Sequence, residues 1–135
     1  MVFLIDTNVF SDLMEEQPTV IAKLAAITPE DRICICAIVR GEILYGISRL
    51  PAGKRRETLQ SRADGLFGSI VCQPISDRVA DRYAMIKREM ESKGTSMAEN
   101  DLWIAATAFD LGASLVTRDL AFQHVAGLVI QDWTA

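Results

Sequence analysis

The sequence predicts an α/β fold, a central parallel sheet with helices over both of its faces. Three observations carry this. Short apolar runs alternate along the chain with stretches of helical spacing, the pattern of crossover units. Residues 33–37 are apolar on both faces, as an interior strand of a parallel sheet must be. The opening apolar run, residues 2–5, breaks off into Asp6, Thr7 and Asn8, a carboxylate, a hydroxyl and an amide. In open α/β sheets ligands bind beyond the carboxyl ends of the strands. Asp6 is therefore the first candidate site residue, against the plainer reading in which it only turns the chain.

The chain has 135 residues, half of them apolar. That is enough for one domain spanning 1–135 that buries roughly two-thirds of its unfolded surface. The longest apolar run, residues 33–39, is far too short to cross a bilayer. The first residues lack the basic leader and cleavage site of a signal peptide. Three cysteines without framework spacing fit a reducing cytoplasm, so a cytoplasmic protein without membrane contact is expected. The formal net charge of -4 counts against broad charge-driven nucleic-acid binding. It leaves open a negative substrate held through a bound cation.

Taken in order, Asn8 is expected to cap a short helix over residues 9–16, and Pro18 opens a second through residue 27. Residues 28–31 form a loop before the strand at 33–37. Cys34 and Cys36, with Cys72 and His124, suggest a zinc site, but their spacing fits no common template and cysteine is often simply buried. A helix follows over 38–50 and stops before Pro51, with Val39, Ile43, Ile47 and Leu50 as its apolar stripe. Glu42 lies beside that stripe in the early turns, a second carboxylate near a strand end, although most helix glutamates face solvent.

Residues 51–53 turn the chain, and Lys54, Arg55 and Arg56 open a helix expected to end near Gly65. This is the one basic cluster of the sequence. A solvated helix face is the ordinary explanation; contact with a polyanion or an acidic partner is the functional one. Residues 69–75 read as a third strand. Ser76 caps a long helix to residue 93, with Val79, Tyr83, Ile86 and Met90 at core spacing, and Gly94 ends it.

Ser96 and Glu99 have capping-box spacing before a helix over 97–111 that is apolar nearly all round and stopped by Gly112. Asp101 is the anomaly there, a residue type almost never buried unpaired. Ala105, Ala108 and Gly112 share its face, and such small residues let a helix press close to a sheet. Residues 113–119 repeat the opening pattern, an apolar strand ending in Thr117, Arg118 and Asp119. A helical turn at 120–125 and a last strand at 128–130 complete the chain, with Trp133 packing at the end.

Asp6, Glu42, Asp101 and Asp119 thus each fall near the carboxyl edge of one sheet. Two full charges ~4 Å apart repel by about 4 kcal/mol at an effective dielectric of 20. Four of them strain a domain whose stability is on the order of 10 kcal/mol. Either some are protonated or a divalent cation binds among them, and hard oxygen ligands favour magnesium or manganese. Such ions polarise phosphate oxygens and lower the pKa of a bound water. Rival chemistries lack their parts. One histidine rules out a two-histidine ribonuclease mechanism, and there is no G-x-S-x-G elbow, phosphate loop or G-x-G-x-x-G after a strand.

These residues resemble the PIN-domain nucleases, specifically the VapC-type toxins of bacterial toxin–antitoxin pairs, over almost the whole chain. Leu4-Ile5-Asp6-Thr7-Asn8 looks like the family's opening motif and Glu42-Ile43-Leu44-Tyr45-Gly46 like its second. Asn100-Asp101-Leu102-Trp103-Ile104-Ala105-Ala106 resembles the third, and Val116-Thr117-Arg118-Asp119 the fourth. Residues 51–56 are similar to the basic segment of the FitB-like branch. The resemblance implies a three-layer α/β/α PIN-like fold and a Mg2+- or Mn2+-dependent endoribonuclease. It also implies a homodimer silenced by a cognate antitoxin that covers the site. Asp6, Asp101 and Asp119 match metal ligands, Glu42 a ligand or water-orienting group, and Thr117, with Asn8, a supporting polar residue. Two other readings compete, a receiver-like phospho-acceptor module and a catalytically inactive PIN-like binding module. The first wants a lysine where Thr117-Arg118 stands; the complete set of acids speaks against the second.

Overall fold

The structure is a computed structural model that describes residues 1–135. Five strands form one sheet: β1 (Val2–Ile5), β2 (Arg32–Cys36), β3 (Val71–Gln73), β4 (Ser114–Val116) and β5 (Ile130–Gln131). Their order is β3-β2-β1-β4-β5 and every pairing is parallel. Six helices connect them: α1 (Thr7–Met14), α2 (Pro18–Ala25), α3 (Ala37–Ser48), α4 (Lys54–Ser69), α5 (Asp77–Ser92) and α6 (Glu99–Leu111), with a short 3-10 turn at Leu120–His124. Crossovers between parallel strands are right-handed. Running outward from β1 to β3 and then back to β4, they put α1–α4 on one face and α5 and α6 on the other. The expected α/β/α arrangement is therefore found. The receiver-like reading is not, because that fold sets its first strand between the second and third, whereas β1 here lies between β2 and β4.

Leu4, Ile5, Ile35, Cys36, Leu115 and Val116 are wholly buried. Strands covered on both faces have no solvent side, which is why these read as continuous apolar runs. Each such aliphatic side chain contributes about 1.5–3 kcal/mol by leaving water. Trp133 closes the end of the core, its ring edge-on to Phe3 with centroids 5.7 Å apart. Cys34 and Cys36 are buried and free, and burial holds the Cys34 thiol up at about 11.

Several local expectations are corrected. Helix α1 begins at Thr7, and its N-cap is Asp6, not Asn8. Helix α4 runs through Gly65 and Gly68 to Ser69, which leaves β3 only three residues. Phe67 explains the extension. It stacks on Phe10 with centroids 5.3 Å apart and carries the Arg40 guanidinium on its ring. Such packing offsets the roughly 1 kcal/mol that each helical glycine costs. Helix α6 begins at Glu99 behind Ala98 with no side-chain cap. Glu99 instead turns sideways to α5, accepting from the Tyr83 hydroxyl and from Lys87 at 3.2 Å. The last strand is Ile130–Gln131, later than expected.

Candidate active site

Connections leave β1 and β4 in opposite directions, and such a reversal opens a crevice beyond the carboxyl ends of the two strands. Asp6 follows β1 and Thr117 follows β4 directly. Asp6 is 4% exposed. Its Oδ1 accepts from the Thr7 amide at 2.8 Å, and its Oδ2 accepts from Thr117 Oγ1 at 2.7 Å. Asn8 Nδ2 donates to Asp6 Oδ2 at 3.4 Å and to Thr117 Oγ1 at 3.3 Å, while its Oδ1 is buried with no partner. The Asp119 amide donates to Thr117 Oγ1 at 3.0 Å, and Asp119 Oδ1 caps the following turn through the Ala121 amide at 2.9 Å.

Glu42 enters from α3. Its Oε1 accepts from Thr7 Oγ1 at 2.6 Å and its Oε2 from Asn100 Nδ2 at 3.4 Å. Asn100 sits beside Asp101 in the first turn of α6, behind which Ala105 and Ala108 are fully buried. The small-residue face expected for that helix thus lies against the core. Thr7 and Asn100 are the site residues that sequence reasoning missed. Thr7 stood in plain view inside the opening motif. Asn100 gave only its adjacency to Asp101, since its partner lies 58 residues away.

The four acids feel one another. Burial raises the Asp101 carboxyl to about 6, reinforced by the charges of Asp6, Asp119 and Glu42. Burial also raises Asp6, with hydrogen bonds from Thr117 and Thr7 opposing and Glu42 and Asp119 adding to the shift. Yet no three of these side chains close on one point tightly enough to enclose an ion. Hard carboxylate oxygens suit magnesium, which keeps several waters and rests on one or two carboxylates, better than a metal needing a complete protein cage.

The basic cluster divides. Arg55 donates to Glu15 Oε1 at 2.9 Å, and Arg62 donates to the Met14 carbonyl at 2.9 Å and pairs with Glu16 at 3.6 Å. These bonds tie α4 to the end of α1, where Glu16 adopts φ 57°. Lys54 and Arg56 enter no ion pair. Between α1, α3 and α4 runs a groove of about 310 Å³, from Thr7 and Glu42 over Ile43, Ile47, Leu50 and Leu59 to Arg55.

A family model described as the PIN domain matches residues 3–128. The chain belongs to the PIN-domain family. Among relatives of this PIN domain is ribonuclease VapC2 of Rickettsia felis, 28% identical over 98% of each chain. The toxin FitB of Neisseria gonorrhoeae is 33% identical over 94% of each. The solved structure of VapBC2 from Rickettsia felis, bound to a DNA fragment from its promoter, superposes with a TM-score of 0.89 at 27% identity. That match covers 98% of this chain and 99% of the other. The strand reversal that builds the crevice is thus the PIN architecture, and no helix of this PIN domain is long and apolar enough to cross a membrane.

Proposed function

We propose that this PIN domain is a divalent-metal-dependent endoribonuclease, the toxin of a type II toxin–antitoxin pair, which hydrolyses RNA phosphodiester bonds at Asp6, Glu42, Asp101 and Asp119. The observation that carries the reading is the hydrogen-bond chain from Asp119 through Thr117, Asp6 and Thr7 to Glu42 and Asn100. It ties three acids from distant segments, Asp6, Glu42 and Asp119, to one another and to Asn100, next to an Asp101 carboxyl that burial and their charge raise to about 6. Relatives named ribonuclease and toxin support the same reading.

Asp6, Asp101 and Asp119 would hold magnesium or manganese, and a bound ion of this kind neutralises phosphate charge and lowers the pKa of a coordinated water. Thr117 and Asn8 keep Asp6 aimed and supplied with donors. Glu42 would join them as a ligand or orient the attacking water. Within the basic cluster, Lys54 and Arg56 enter no ion pair and are available to an RNA backbone or an acidic segment of an antitoxin. The protein acts in the cytoplasm as a homodimer that a cognate antitoxin silences.

The test is to incubate the purified protein with total RNA, with and without magnesium, and to map the ends produced. Magnesium-dependent cleavage that Asp6→Asn and Asp101→Asn abolish is the expected result. Undiminished cleavage by both variants would end the assignment. No cleavage, with antitoxin binding retained, would favour the inactive binding module.

A further inference from the structure

Glu42 is clamped at both oxygens by neutral side chains from two other helices, Thr7 of α1 on Oε1 at 2.6 Å and Asn100 of α6 on Oε2 at 3.4 Å. We propose that Thr7 and Asn100 are positioning residues that fix the plane of the Glu42 carboxylate, so that it orders the attacking water and takes its proton instead of ligating the cation. The inference rests on the nuclease reading and deepens it.

A carboxylate oxygen offers about two acceptor positions. With one position on each oxygen given to a clamp, Glu42 keeps a free one on each but loses its freedom to rotate. The Thr7 bond fills one acceptor position of Oε1 and leaves the other, now fixed in direction, for a water proton. Thr7 also sets the spacing of two acids at once, because its amide holds Asp6 Oδ1 at 2.8 Å while its hydroxyl holds Glu42. The groove of about 310 Å³ reaches Glu42 and Thr7 and brings solvent to them. In the step itself the water oxygen bonds to phosphorus as its proton passes to Glu42. The ester P–O bond breaks, and the departing oxygen is protonated from solvent.

The position of the reacting group decides rates steeply; a displacement of about 1 Å costs roughly 100-fold. Thr7→Val keeps the side chain's shape without its hydroxyl, and Thr7→Ser keeps the hydroxyl. With the whole protein, RNA and magnesium, Thr7→Val is expected to lower kcat about 100-fold and Asn100→Ala about tenfold. KM and the calorimetric dissociation constant for magnesium should stay within about twofold, and Thr7→Ser should restore the rate.

Three results overturn the assignment: full activity in Thr7→Val, a Thr7→Ser as impaired as Thr7→Val, or a loss of magnesium affinity that follows the loss of kcat. The last would make Glu42 a ligand. If the unaltered protein cuts no RNA and Asp101→Asn matches it, the nuclease reading falls and this inference with it. Cutting by the unaltered protein and by Thr7→Val alike removes the inference alone.

Discussion

Thr117 Oγ1 donates a 2.7 Å hydrogen bond to Asp6 Oδ2 across 111 residues of sequence, and both side chains are almost completely buried. One hydroxyl thereby joins the ends of β1 and β4. It also accepts from the Asp119 amide and from Asn8, so its oxygen is saturated. Removing it takes a donor from a buried carboxylate and an acceptor from a backbone amide.

Thr117→Val should therefore destabilise the protein by about 1–3 kcal/mol, the usual cost of leaving a buried polar group unmet. Thr117→Ser should recover most of that. Urea unfolding with both variants measures it, and the loss should shrink as acid protonates Asp6, whose carboxyl burial holds above the usual aspartate range.

Asp6→Asn and Asp101→Asn should each reduce magnesium-dependent RNA cleavage by at least about 100-fold while the circular dichroism spectrum is kept. Without metal, Asp101→Asn should melt no lower than the parent, because it removes a charge from a crowded pocket, whereas Asp6→Asn also gives up an acceptor that Thr7 and Thr117 use. A parent-like cleavage rate in either variant would show that its acid has no part in the chemistry.

The raised Asp101 carboxyl fixes a pH dependence. In the unfolded chain an aspartate titrates near 3.9; in the folded protein it titrates at about 6. Between those values the folded state holds more protons, so metal-free stability should fall as pH rises from about 4 to about 6. The change is on the order of 1–2 kcal/mol once solvent screening is allowed for. Asp101→Asn should flatten this slope, and saturating magnesium should raise the melting temperature at pH 8 in the parent only.

On α4 the basic side chains should separate by function. Arg62 holds the Met14 carbonyl and Glu16, so Arg62→Ala should cost about 1 kcal/mol of stability. Exposed Arg55, paired only with exposed Glu15, should matter little. Lys54→Glu with Arg56→Glu should leave melting unchanged and weaken RNA or antitoxin binding. Titration of both partners reads this out, and unchanged affinities would return the cluster to an ordinary solvated face.

The strands and α6 were legible because each is a local signal, an apolar run or a period, and Asp6 and Asp119 stood out as carboxylates where such a run ends. What escaped was set by tertiary contact. Glu99 has the spacing of a cap, yet Tyr83 and Lys87 on α5 draw it away. Gly65 reads as a helix end until Phe67 is seen to stack on Phe10. Asn8 and Asp6 both suit an N-cap, and only the start of α1 at Thr7 decides between them. Thr7 and Asn100 carry no chemistry of their own. Their role exists only once Glu42, 35 and 58 residues away, is brought to them.

The place of β4 beside β1 has a consequence for how the protein is made. Residues 114–116 are translated after β1, β2 and β3, yet they fill a central position in the sheet. A nascent chain still short of them carries Asp6, Glu42 and Asp101 but neither Thr117 nor Asp119, and its first strand has only one neighbour. Until β4 joins the sheet, the nascent chain has no crevice in which Asp6 and Thr117 can meet.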